Sequence, residues 1–83
     1  MTLEDAAVRE PVVVEGIDGG RGVVLHLNTL GIHVGDRLLV VERAPFRGPV
    51  LVEVNGSRVA LGRGVARKVR VVPDASRPGR AAE

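Results

Sequence analysis

Between Leu30 and Pro49, glycine and proline punctuate the chain so closely that only short elements can form there. The stretch reads Leu30-Gly31-Ile32-His33-Val34-Gly35-Asp36, then an apolar run Leu38-Leu39-Val40-Val41, then Ala44-Pro45-Phe46-Arg47-Gly48-Pro49. Gly31 has no Cβ to clash, so it can take the left-handed conformation that closes a helix. Gly35-Asp36 is a second turn signal, placed just ahead of the β-rich run. Pro45 and Pro49 each fix φ and withhold a backbone donor, so the segment between them cannot lie in the middle of a sheet. A helix stop, two turns, a strand and a rigid loop follow one another, and Phe46, the single aromatic residue of the chain, sits in that loop.

The flanking segments are just as short. Thr2-Leu3-Glu4-Asp5 predicts one turn, with Thr2 accepting from first-turn amides and Leu3 laid on the core. Pro11 to Ile17 is β-branched and begins with proline, which suits the first position of a strand. Asp18-Gly19-Gly20 breaks it. From Gly22 to Leu30, Val23, Leu27 and Leu30 recur at i, i+4 and i+7, the spacing of one helical face. Val24 and Leu25 fall off that face and mark a candidate contact surface. Asp36 to Arg43 is a strand apolar on both sides at its centre, as expected where a strand is also covered by a helix. Val50 to Val54 and Arg58 to Leu61 flank Asn55-Gly56, a pair that tolerates positive φ at both positions and so predicts a tight hairpin. Gly62 to Ala66 predicts a single 3₁₀ turn, and Arg67 to Val72 a last strand with Val69 and Val71 inward.

Five short strands with one short α-helix after the first predict a mainly β fold, a small SH3-like five-stranded barrel. The domain is expected over residues 1–73. Residues 74–83, rich in Pro, Gly, Arg, Ser and Ala, are expected to form a disordered tail. With no cysteine in 83 residues, neither disulfides nor thiolate metal sites can staple the chain, so aliphatic packing must hold it. No apolar run approaches the ~20 residues that span a bilayer. The acidic start lacks the features of a signal peptide, and a cytoplasmic protein with no direct membrane insertion is expected.

Charge is divided unevenly along the chain. Residues 1–42 carry seven acids and three bases, and residues 43–83 nine bases and three acids. Such a one-signed segment can favour an acidic partner or simply form a solvated face.

The residue inventory excludes several chemistries. Ser57 and Ser76 are the only serines, and neither stands in a nucleophile context, so no enzyme and no catalytic residue is expected. His26 and His33 lie on either side of the Gly31 helix stop with no acid at helical spacing from both. A transition-metal site needs three or four ligands, so no metal site is expected. Asp18-Gly19-Gly20-Arg21-Gly22 precedes a helix but lacks the Lys and Ser or Thr of a nucleotide loop, and no cofactor is expected. With a single aromatic, the chain has neither the stacking platforms of a nucleic-acid binder nor the groove that grips Pro-rich peptides. What remains is docking to another protein, and self-association is also open.

Several features together resemble the ferrous iron transport protein A family, FeoA. They are Gly16-Ile17 with the glycines that follow, Leu27, Leu30-Gly31-Ile32 with Val34-Gly35, Ala44-Pro45-Phe46 with Gly48-Pro49, Val52-Glu53-Val54 with Gly56, Ala60-Leu61, and Ala66. The resemblance extends from about Thr2 to Val72. It departs from the family at Val24, Leu25 and His26, where basic residues are frequent, and at Leu39, where a polar one is.

The resemblance implies an accessory role in ferrous iron uptake. The partner it implies is FeoB, a membrane transporter with a cytosolic GTP-binding domain. It leaves open whether GTP hydrolysis, pore gating or assembly is affected. Docking residues are expected among Val24, Leu25, Phe46 and Arg47. Arg47 is the candidate for an arginine finger, and Phe46 is open to a core reading as well as a contact reading. The alternative is an SH3-like effector or metal-sensing module of iron-dependent transcriptional regulation, since the same domain ends such repressors.

Overall fold

The computed structural model describes residues 1–74. Its elements are β1 (Val12–Ile17), α1 (Gly20–Thr29), β2 (Arg37–Arg43), β3 (Val50–Val54), β4 (Ser57–Leu61), α2 (Arg63–Ala66) and β5 (Val69–Pro73). All strand pairings are antiparallel, and the sheet order is β4-β3-β2-β1-β5. This is the expected SH3-like arrangement of five strands. Alternation sends Val12 and Val14, Leu38 and Val40, Val50, Val52 and Val54, Leu61, and Val69 and Val71 to one side, where they join Leu3, Ala6, Leu27, Ile32 and Ala66 in a single cluster. Among the described residues, no polar or charged side chain is buried in that core. Because every strand contributes to one cluster, the sheet must curl around it. Between its two edge strands, α2 makes the connection.

Local chemistry explains the breaks. Helix α1 begins two residues earlier than the spacing predicted, at Gly20, because Gly19 and Gly20 both take positive φ and turn the chain sharply out of β1. A substitution at Gly19 is disfavoured for a second reason: a Cβ there would lie 2.8 Å from the Val23 side chain and 2.9 Å from that of Lys68, so these side chains would have to shift. The helix ends where Gly31 was expected to end it. Gly31 is left-handed (φ 94), its N–H donates to Asn28 O (3.0 Å), and the Ile32 N–H donates to Leu27 O (2.9 Å). This is the Schellman pattern, and its apolar pair, Leu27 and Ile32, is fully buried. Gly35 (φ 96) then donates to Val14 O at 2.8 Å, which fixes β2 alongside β1.

The N-terminal turn forms as expected. Glu4 N–H donates to Thr2 Oγ1 at 3.3 Å, and Leu3 is completely buried. Arg43 holds the turn from β2 by donating to the carbonyls of Leu3, Glu4 and Ala6. The expected tail lies outside the described residues from residue 75 onward. Asp74 is held in place: its N–H donates to Pro11 O (3.1 Å), and its carboxylate pairs with Arg37 (2.6 Å).

Two expectations are corrected. The turn after β4 is α-helical, not 3₁₀: Ala66 N–H donates to Gly62 O (2.9 Å) and Arg67 N–H to Arg63 O (3.0 Å), both i to i−4. The second face of β2 was expected under a helix. Instead α1 packs on β1, and Leu39 lines an outward cleft of about 270 Å³ with Pro11, Arg37, Glu53 and the Asn55-Gly56 turn.

Candidate functional site

The loop between β2 and β3 holds the most unusual backbone among the described residues. Among the described residues, four non-glycine residues have positive φ: Arg9, Phe46, Arg47 and Asn55. Only at Phe46 (φ 58) and Arg47 (φ 60) are two of them consecutive. Gly48 N–H donates to Pro45 O (3.0 Å) and Ala44 N–H to Pro49 O (3.0 Å), so residues 45–48 form a closed turn with left-handed central residues. That is the geometry of a type I′ turn, which favours Asn and Gly. For a side chain with a Cβ, the left-handed conformation costs roughly 1–2 kcal/mol.

The surroundings hold the turn in this shape. Arg63, carried by α2, donates from Nε to Gly48 O (2.9 Å) and from a terminal guanidinium nitrogen to Ala44 O (3.4 Å). A cationic donor makes such bonds stronger than neutral ones. Gly48 also allows close packing, since a Cβ there would sit 2.7 Å from the Ala44 Cβ. Pro45 and Pro49 stiffen both ends. Backbone strain that persists because its neighbours over-determine it is found preferentially at functional sites.

The result is a rigid projection tipped by an aromatic ring. Phe46 is 99% exposed, which overturns the core reading of this residue. Arg47 beside it is exposed as well. A second, apolar cleft of about 200 Å³ lies at the base of the turn, lined by Glu42, Ala44, Pro49, Leu51 and Ala60.

Of the other sequence-predicted contact residues, Leu25 is well exposed and Val24 half-buried. They belong to α1, and no hydrogen bond or ion pair joins them to the Phe46 turn among the described residues. The candidate contact residues therefore fall on two elements, α1 and the loop between β2 and β3. His33 is paired with Asp36 (Nδ1 to Oδ2, 3.3 Å) beside the Gly35 turn, and among the described residues no three His, Cys, Asp or Glu side chains come together. No described helix is long and apolar enough to cross a membrane. Sequence reasoning missed Arg63. Its only signal was an arginine inside a Gly-rich turn.

A small SH3-like domain of five antiparallel strands, with its distinctive residues on a projecting turn, belongs among the compact β modules of that class. The model of the FeoA domain matches residues 1–73, and the chain belongs to that family. It is 40% identical over 62 residues to the provisionally named Fe(2+) transport protein A of Methanocaldococcus jannaschii, covering 75% of this chain and 73% of that protein. It is similar to the crystal structure of an iron uptake regulatory protein (FeoA), with a TM-score of 0.74 and 29% identity over 86% of this chain and 95% of the other. A manganese-dependent transcriptional repressor shares the fold, with a TM-score of 0.80 and 24% identity over 88% of this chain and 41% of the repressor. The FeoA family is one of ferrous iron transport.

Proposed function

We propose that this protein acts in ferrous iron uptake as a non-enzymatic accessory that docks, through the Phe46-Arg47 turn, on the cytosolic GTP-binding part of a FeoB-type membrane transporter. The observation that carries the proposal is the fully exposed phenyl ring held on a strained, braced turn. A large apolar side chain left in water contributes nothing to folding, yet its burial against a partner releases about 25 cal/mol per Å² of apolar surface. Rigid aromatic anchors lose little conformational freedom on binding and are enriched among residues that dominate interfaces. The neighbouring Arg47 adds a cation that can face a carboxylate or phosphate on the partner. Membrane recruitment follows from the partner and needs no insertion of this chain.

The test is titration of the protein into the purified GTP-binding domain of its own organism's transporter, recording binding and GTP turnover. Binding that Phe46→Asp abolishes is the expected result. A faster turnover that Arg47→Ala removes assigns the arginine a catalytic contribution in trans. Binding without a rate change assigns the protein to gating or assembly. Absence of binding contradicts the proposal and favours a regulatory module, the role that the fold shared with the repressor suggests.

A further inference from the structure

The two edges of the sheet are finished differently. The outer edge of β5 is covered by the start of the chain: Leu3 N–H donates to Val69 O (3.0 Å), Val71 N–H donates to Met1 O (2.8 Å), and Thr2 bridges to Arg70. β4 has no such cover. Val54 and Ser57 flank the two-residue Asn55-Gly56 turn and so form the hydrogen-bonded pair that closes it. By alternation, Ser57, Val59 and Leu61 direct their main-chain groups at β3, and Arg58 and Ala60 direct theirs away from the sheet. Arg58 and Ala60 are both exposed, and among the described residues nothing bonds their outward N–H and C=O groups.

Two of the usual devices for blunting an edge, proline and a bulge, are also missing. β4 contains no proline, and the β3–β4 register runs without a shift, whereas β1–β5 and β2–β3 each contain one. Its one charge, Arg58, stands opposite Glu53 of β3.

We propose that β4 pairs with β4 of a second copy, antiparallel, about a two-fold axis through Val59. In this register Arg58 of each copy faces Ala60 of the other. The outward N–H and C=O of both residues then close as four reciprocal hydrogen bonds. The self-complementary sequence selects this register. Centring on Arg58 sets two arginines directly opposite, which is unfavourable. Centring on Ala60 leaves Arg58 facing Gly62, beyond the end of the strand. Shifting by a single residue sets outward groups against inward ones. The contact is isologous and closes after two chains, so it yields a dimer with one continuous sheet and no open-ended fibre. It uses neither Phe46 nor Arg47, which remain free for a different partner.

The test is sedimentation equilibrium of the full chain over a wide concentration range, with two substitutions at Ala60. Its side chain is exposed and its N–H already faces solvent, so both variants keep the fold, which circular dichroism of the monomer verifies. Ala60→Glu places a carboxylate opposite Arg58 of the other copy and is expected to tighten the dimer. Ala60→Arg places like charges there and is expected to weaken it. With two symmetric pairs per dimer, each change is expected to be roughly twofold to thirtyfold. Amide exchange at Arg58 and Ala60 slows as concentration rises. A chain that stays monomeric throughout overturns the proposal, and so does a dimer that both substitutions shift in the same direction.

Discussion

The molecule contains two tight turns of one geometry built from opposite chemistry. At the β3–β4 turn, Asn55 (φ 50) and Gly56 (φ 82) occupy the left-handed positions, and these are residues that accept positive φ at little cost. At the β2–β3 turn, the same positions hold Phe46 (φ 58) and Arg47 (φ 60), which do not. The first turn needs nothing outside itself. The second is closed by its own backbone bonds and braced by Arg63 from α2. The contrast shows that the fold can use a cheap turn where only a connection is required. Where it keeps a costly one, as at Phe46, the side chain is wholly exposed and adds nothing to the core, and the proposed docking role is the use that accounts for it.

The comparison can be broken at either turn. The largest effect is expected at the easy one. Gly56→Val puts a β-branched side chain at φ 82, in a place where a Cβ meets nothing within 4 Å, so the loss is purely conformational. It should destabilise the protein by about 2–4 kcal/mol in urea unfolding, combining left-handed strain with a weakened hairpin. A cost near zero would mean that the hairpin does not depend on its turn. Next is Arg63→Ala, which leaves the Gly48 and Ala44 carbonyls without their donor. A loss of about 1–3 kcal/mol is expected, with faster amide exchange at Gly48. Unchanged exchange there would show that Arg63 is not the brace.

The opposite sign is expected when the costly turn is given the cheap chemistry. Phe46→Asn with Arg47→Gly should raise stability by about 1–2 kcal/mol by relieving two left-handed side chains. No gain would mean that the turn is unstrained. The smallest effect belongs to Leu25→Asp on the exposed surface of α1, expected within about 0.5 kcal/mol of the parent in stability. If that substitution, and not the change at Phe46, weakens partner binding, the docking surface moves to the helix.

These two turns also mark what a single sequence can disclose. Asn55-Gly56 announces its turn because the two residue types carry the required φ preference. Leu27 to Ile32 likewise announces its helix end, since a glycine between apolar residues encodes the Schellman bonds locally. Pro45-Phe46-Arg47-Gly48 announces a loop but not its shape, because Phe and Arg prefer the opposite sign of φ. Its conformation depends on Arg63, fifteen positions from Gly48 along the chain. The same limit applies to Leu39, whose apolar outward side suggested a covering helix. Which element α1 covers depends on how the Gly19-Gly20 turn aims it, and hydrophobic spacing is silent on direction. For the candidate site, the sequence shows a rigid loop that carries Phe46, the single aromatic, and Arg47, with Phe46 open to a core position as well as a contact one. Their exposure and strain required the tertiary structure.

The central claim is that the turn between β2 and β3 accepts a stability cost in order to present Phe46 to a partner. The most direct measurement compares the parent protein and the Phe46→Asn, Arg47→Gly variant in two assays: urea unfolding, and calorimetric titration into the transporter's GTP-binding domain. The expected result is a more stable variant that has lost binding. A variant that binds as well as the parent, or a parent that does not bind at all, would contradict the account.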